Sequence, residues 1–315
     1  MQKTWFITGA SRGFGGIWAE AALQRGNRVT ATDRKQEDVV DLAERFGDAV
    51  LPFALDVTYS AQVHEVVHRA YAHFGGLDVL VNNAGASLCA ATEEASDEQI
   101  RGLFDANYLG TVRVLRAALP LLRKQGCGHI LGVSSGLGIT ALPLIGFYCA
   151  TKWTVEALHE SLAQEVRAFG LKVTLVEPGA YATDFGKSSQ IADALEPYAE
   201  FRKQFLTHLA DVERGDPEAT AEAILKLVDA ENPPLRFWAR HFYSAQGPRS
   251  VCGAAGDVGS VGARVECGDG RAEEIDGSVD RATDPWNSGS ETRTGSIPCS
   301  GEAGDRMEAG EVPIN

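Results

Sequence analysis

No stretch of this 315-residue chain reaches the ~18 consecutive apolar residues that a helix needs to cross a bilayer, so no membrane association is expected. Positive charge is scarce as well: 29 Lys and Arg stand against 43 Asp and Glu, a formal net charge of -14. A non-specific nucleic-acid binder needs a basic face to displace counterions, so that class is set aside. The six cysteines, Cys89, Cys127, Cys149, Cys252, Cys267 and Cys299, have no paired spacing, which argues against a zinc site and against a disulfide framework. The seven histidines form no ligating motif; His64, His68 and His73 fall on an expected surface helix, and no metal is expected. The stretch Met1-Gln2-Lys3-Thr4-Trp5 runs straight into a strand pattern without signal-peptide architecture, and a cytoplasmic location is expected.

One absence is local. Residues 251–315 contain no Leu, Phe, Tyr, Lys, His or Gln, while glycine, acidic residues and arginine abound. Thirteen acidic residues against five arginines place -8 of the charge there. So little apolar surface cannot offset the entropy of ordering, so 246–315 reads as a disordered acidic tail behind a folded domain of residues 1–245. Its composition also matches a shifted reading frame in a GC-rich gene, with a functional acidic tail as the rival reading.

What is present is a succession of strands and helices. Thr4 to Ile7 is a short apolar run closed by Thr8-Gly9-Ala10-Ser11-Arg12-Gly13-Phe14-Gly15, and helical spacing follows from Ile17 to Leu23. Strand, glycine-rich turn and helix in that order suit a pyrophosphate at the helix N-terminus. A second strand, Arg28 to Thr32, ends in Asp33-Arg34 where a doubly wound sheet meets the adenosine ribose. Asp33 would take the ribose hydroxyls, whereas Arg34 with Arg12 would take a 2′-phosphate, which leaves NAD and NADP both open. Further strands read at Val50–Leu55, before Asp56-Val57, and at Val79–Val81, before Asn82-Asn83-Ala84-Gly85. Asp56 is placed to meet an adenine amino group. Ser96 and Gln99 form a capping box for a helix that carries Asn107 in its interior, a locally unfavourable position.

Strands at His129–Val133 and Lys172–Val176 deliver Ser134-Ser135 and Pro178-Gly179 to the same sheet edge, and Leu235–Trp238 reads as a seventh strand. Tyr148 and Lys152 lie four apart on an expected helix and so share a face. A lysine cation there would stabilise a phenolate, while the Ser135 hydroxyl polarises a carbonyl. Between about 185 and 210 a loosely helical segment with Phe185, Tyr198, Phe201 and Phe205 reads as a lid over an apolar substrate, or as simple core packing.

The ordered set Thr8-Gly9-x-x-x-Gly13-x-Gly15, Asp56, Asn82-Asn83-Ala84-Gly85, Asn107, Ser135, Tyr148-x-x-x-Lys152 and Pro178-Gly179 with Thr183 resembles the short-chain dehydrogenase/reductase family over residues 3–240. The thirteen-residue step from Ser135 to Tyr148 is the one usual there, which favours Ser135 over Ser134. The resemblance implies a single Rossmann-type α/β domain with a doubly wound, seven-stranded parallel sheet. It also implies an NAD(P) cofactor held by the glycine-rich turn, Asp33 or Arg34, Asp56, Val57, Asn83, Ala84, Gly85, Pro178, Gly179 and Thr183. Tyr148 would be the acid/base, Ser135 the substrate-oxygen ligand, Lys152 the group that lowers the tyrosine pKa and holds the nicotinamide ribose, and Asn107 the support of a water-linked proton path. The implied partner is a small carbonyl or alcohol, with members on steroid, retinoid or other lipophilic substrates the most similar, in a homodimer or homotetramer. Two other functions are weighed: an NAD(P)-sensing regulator without turnover, and an epimerase or dehydratase on the same scaffold.

Overall fold

The strand Thr4–Thr8 sends Trp5 and Ile7 into one apolar cluster and Phe6 into another, so it is buried on both faces and belongs inside a parallel sheet. The computed structural model describes residues 2–186, 189–244 and 247–254, with backbone alone from 240 onward. The chain divides into units of Met1–Asp269 and Gly270–Asn315, and every described residue belongs to the first.

In chain order the elements are β1 (Thr4–Thr8), α1 (Gly13–Gln24), β2 (Arg28–Asp33), α2 (Glu37–Phe46), β3 (Val50–Ala54), α3 (Ser60–Phe74), β4 (Val79–Asn82) and β5 (Leu88–Cys89). Then come α4 (Asp97–Phe104), α5 (Gly110–Gln125), β6 (Gly128–Val133), α6 (Gly146–Val166), β7 (Leu171–Pro178) and β8 (Gln190–Ile191). The remainder is α7 (Ala199–Asp211), α8 (Thr220–Asp229), β9 (Arg236–Ser244) and β10 (Gly247–Ala254). Among the described residues, seven strands run parallel in the order β9-β7-β6-β4-β1-β2-β3. Helices α1, α2 and α8 cover the face of Trp5 and Ile7, and α3, α5 and α6 cover the face of Phe6. The order reverses between β1 and β4, which opens a crevice at the carboxyl ends of the strands.

Two local features depart from the sequence reading. Residues Asp105–Leu109 form one π-helical turn between α4 and α5, and Asn107 sits inside it, so the local cost of an amide in a helix falls on a widened turn. The adjacent Gly110 lets that turn close on the loop after β3, since a Cβ there would stand 2.6 Å from Val57 Cγ2. Last, β10 adds to β9 as an antiparallel strand, in register Gly247↔Ser244, although 247–254 was read as the start of the disordered tail. Main-chain pairing at a sheet edge needs no apolar periodicity, so composition did not announce it. The expected disorder and the shifted frame beyond Ala254 lie outside the described residues.

The expected capping box at Ser96 is present: Gln99 N donates to Ser96 Oγ at 3.2 Å and Ser96 N donates to Gln99 Oε1 at 2.9 Å. Across the sheet, β6 is held close to α6 by a glycine, because a Cβ on Gly132 would lie 2.3 Å from Nε2 of the fully buried His159. Gly132→Ala is therefore expected to lower stability by about 1–3 kcal/mol, the ordinary cost of overpacking, seen as an earlier midpoint in urea.

Candidate active site

The first-turn N–H groups of α1 have no side-chain cap, and no acidic residue stands in that turn. These donors, at the positive end of the helix, are what a phosphate oxygen requires. The turn before them needs glycine: Gly9 and Gly13 have φ of +67° and +55°, and a Cβ on Gly15 would sit 2.2 Å from the Gly9 carbonyl oxygen. The space over Gly13 is open, with Thr183 Cβ the first atom such a group would meet, at 3.9 Å. The turn is fixed to β4 by Thr8 and Asn83. Thr8 Oγ1 accepts from the N–H groups of Asn83 and Ala84, both at 3.0 Å, and Asn83 Nδ2 donates to the carbonyls of Thr8 and Gly9 at 2.9 Å each.

At the end of β2, Asp33 Oδ2 accepts from Ser11 Oγ at 2.5 Å, and Oδ1 accepts from Arg34 N at 2.7 Å. Arg12 and Arg34 are exposed on either side. After β3, Asp56 Oδ1 holds Thr58 N at 2.9 Å and Thr58 Oγ1 at 2.7 Å, which fixes the loop that carries Val57. Pro178 ends β7, and Gly179 N donates to Ala239 O at 2.9 Å.

Ser135 follows β6, its Oγ accepting from Leu137 N at 3.1 Å. Tyr148 and Lys152 are both buried on α6, and the lysine Nζ lies 5.7 Å from the tyrosine ring centroid. That ammonium donates to Val133 O at 2.8 Å. Burial lowers Lys152 to about 8, with Glu156 pulling the other way. Burial likewise holds the Tyr148 hydroxyl well above its ordinary value, with the Ser135 side chain pulling the other way. The phenol is thus neutral beside a lysine whose charge burial weakens and Glu156 supports.

Asn107 does not touch that pair directly. Its Oδ1 accepts from Ala86 N at 2.7 Å, and its Nδ2 donates to Ala86 O and to Thr151 Oγ1, each at 2.9 Å. Thr151 in turn donates to Tyr148 O at 2.7 Å, so the amide ties the π turn, the loop after β4 and α6 together. The Asn107 carbonyl is engaged as well, by Thr111 Oγ1 at 2.9 Å.

All the sequence-read site residues lie at or beside the carboxyl edge of the sheet. Three groups escaped that reading. Thr151 is one, an unremarkable residue between Tyr148 and Lys152. Glu93 and Glu94 are the second: Glu94, its side chain fully buried, accepts from Ala91 N at 2.6 Å and Leu195 N at 3.0 Å and pairs with Arg202, while Tyr198 donates to Glu93 at 2.8 Å. Burial raises the Glu94 carboxyl, but these donors leave it below the usual carboxylate range. Glu156 with Glu177 is the third. None had a local signal, because each depends on partners distant in sequence.

The segment read as a lid contains β8, which pairs with β5, and α7, whose Phe205 packs with Ala91 and Leu144. Phe185 lies 5.6 Å from the Tyr148 ring, and Ile139, Leu142, Phe185, Ile191 and Leu195 remain exposed on this side. Lys187 and Ser188 lie outside the described residues.

A doubly wound sheet with Ser, Tyr and Lys gathered at its carboxyl edge defines a class of oxidoreductases. The chain belongs to the short chain dehydrogenase family, whose model matches residues 3–193. It is 42% identical over 241 residues to Oxidoreductase BOA17 of Botryotinia fuckeliana, covering 75% of this chain and 88% of that one. It is 36% identical over 235 residues to a 3-ketodihydrosphingosine reductase of Bacteroides thetaiotaomicron, covering 73% and 85%. The crystal structure of a short-chain dehydrogenase from Streptomyces avermitilis superposes with a TM-score of 0.71 at 38% identity, over 76% of this chain and 89% of that one. Further solved structures of this fold, at 28–29% identity, hold NADP, NADPH or NADH.

Glu94→Ala would strand the Arg202 guanidinium and two N–H groups. Amide exchange across Leu195–Asp211 is expected to speed up, by about 3 kcal/mol of opening free energy, while β1 and α1 keep their protection.

Proposed function

We propose that this chain, an NAD(P)-dependent oxidoreductase, interconverts a lipophilic ketone or aldehyde and its alcohol, with Tyr148 as the acid/base. The observation that carries the reading is the buried Tyr148 with the buried Lys152 Nζ 5.7 Å from its ring centroid, on the sheet edge where Ser135 follows β6. The uncapped first turn of α1, the open space over Gly13 and the Asp33 carboxylate fit a dinucleotide. Asp33 suits unmodified ribose hydroxyls, and the exposed Arg12 and Arg34 suit a 2′-phosphate, so the reading is of NAD(P) without a choice between the two. When bound, the nicotinamide supplies or accepts the hydride.

The chain's own residues do the rest. Ser135 holds the carbonyl oxygen, and Tyr148 gives it a proton as negative charge develops there. Lys152 then compensates the phenolate and would hold the nicotinamide ribose. Asp56 and Val57 would border the adenine, Asn83 to Gly85 and Pro178-Gly179 would line its crevice, and Thr183 would meet the carboxamide. Asn107 holds this set in register. Phe185 and the exposed apolar residues of the lid side favour a substrate with a long or bulky apolar body, in keeping with the sphingoid ketone named for one relative. A sensor without turnover would have no use for a lysine buried beside a tyrosine. Pairing of two copies through the helices that carry Asn107 and Tyr148 belongs to the same reading.

Tyr148→Phe is expected to cut turnover at least about a hundredfold with cofactor affinity nearly unchanged; undiminished turnover would overturn the mechanism. Lys152, lowered to about 8, is cationic below that pH and neutral above it. The kcat/KM for carbonyl reduction should therefore hold in neutral solution and fall as pH rises through about 8, measured with a saturating reduced cofactor.

A further inference from the structure

Among the described residues, Leu144 is the one non-glycine residue with a left-handed backbone, at φ +59°. A side chain there brings Cβ against the following carbonyl, so the conformation persists where its surroundings hold it. Two contacts do so. The Leu144 carbonyl accepts from Ala90 N at 2.7 Å. Its side chain is buried in a small cluster with Ala91 and with Phe205 of α7, which is 8% exposed. The strain sits at the entrance to α6. Ile145, the next residue, gives that helix no side-chain cap, and its carbonyl takes the Cys149 N–H at 3.0 Å. Tyr148 stands in the turn so begun, and the apolar cluster around it contains Ala90, whose N–H fixes Leu144.

Helix α7 is itself fastened to the same loop, since Arg202 pairs with Glu94 and Glu94 Oε2 accepts from Ala91 N at 2.6 Å. Phe205 therefore reaches Leu144 from a helix whose place is set. We propose that Phe205 is a positioning residue for Tyr148: by packing on Leu144 it holds that residue left-handed, and the left-handed residue sets where α6 begins and so where the phenol stands. When α7 lifts, Leu144 relaxes toward ordinary backbone, its carbonyl leaves Ala90 N, and the first turn of α6 moves with Ile145. The seating of α7 thus decides how Tyr148 is aimed.

That this aim governs proton transfer rests on the carbonyl chemistry proposed above; the link from Phe205 to the first turn of α6 does not. Amide hydrogen exchange of the full chain, read at Ala90 and Cys149, tests the link without any turnover. Phe205→Ala should speed both amides about tenfold, the population shift that release of one left-handed residue allows, while β1 keeps its protection. The same substitution in a Leu144→Gly background should change them less than about twofold, because glycine takes this φ without strain and needs no packing to keep it. Equal acceleration in both backgrounds, or none in either, overturns the link. Carbonyl reduction then reads the aim. Phe205→Ala should lower kcat about tenfold with cofactor affinity unchanged, Phe205→Leu should restore most of it, and in the Leu144→Gly background the loss should shrink to less than about twofold. A kcat loss that the glycine does not suppress, or an effect confined to KM, overturns the positioning role and leaves Phe205 a packing residue of α7. Undiminished turnover in Tyr148→Phe would strike the acid/base assignment and the aim with it, while the exchange result would still decide the link.

Discussion

A lysine ammonium held out of water beside a phenol is the constraint on which the rest of this structure depends. Removing such a charge from solvent costs several kcal/mol unless partners replace the water. Here the Val133 carbonyl, 2.8 Å from Nζ, and the acidic group at Glu156 are those partners. The carbonyl comes from β6 and the carboxyl from α6 itself, so β6 and α6 must hold their mutual positions for the lysine to stay charged. Gly85 belongs to the same requirement, since a Cβ there would come within 3.8 Å of the ammonium and 3.3 Å of Asn107 Oδ1.

The parallel sheet supplies that rigidity and also the direction. Every strand that contributes to the site ends at the same edge, and the loops beyond are tied by side chains instead of left to sample. Thr8 and Asn83 join β1 to β4, and Asn107 joins the π turn to both the β4 loop and α6. On the side of α7, Glu94 performs the corresponding task through Leu195 and Arg202. The side of the glycine-rich turn is thus built from backbone and small polar groups, and the side of α7 from apolar surface.

Much of this was legible in the sequence because the strands are buried on both faces and end in Gly, Asp, Asn or Ser. The limits of β1, β2, β3, β4 and β6 fall within a residue of the apolar runs. Tyr148 and Lys152 were legible because helical spacing alone puts them on one face. β7 was harder: it continues to Pro178, because Glu177 is a buried strand residue although its type suggests a loop. The π turn at Asn107 could not be read, since its width answers to Gly110 and the Val57 loop instead of to local propensity. Glu94 and Arg202 lie 108 positions apart, and no pattern in either neighbourhood announces their pairing. Strand β10 escaped for a different reason, as its pairing is by backbone at an edge.

The most direct test of the account is the protonation of Lys152 itself, followed by nitrogen NMR on lysine-labelled protein, with the signal assigned by its loss in Lys152→Met. The account predicts an ammonium that titrates near 8 in the free protein. Titration near 10.5, as for a hydrated lysine, would contradict it, because the burial that links Lys152 to Tyr148, Val133 and Glu156 would then not be the state of the molecule in solution.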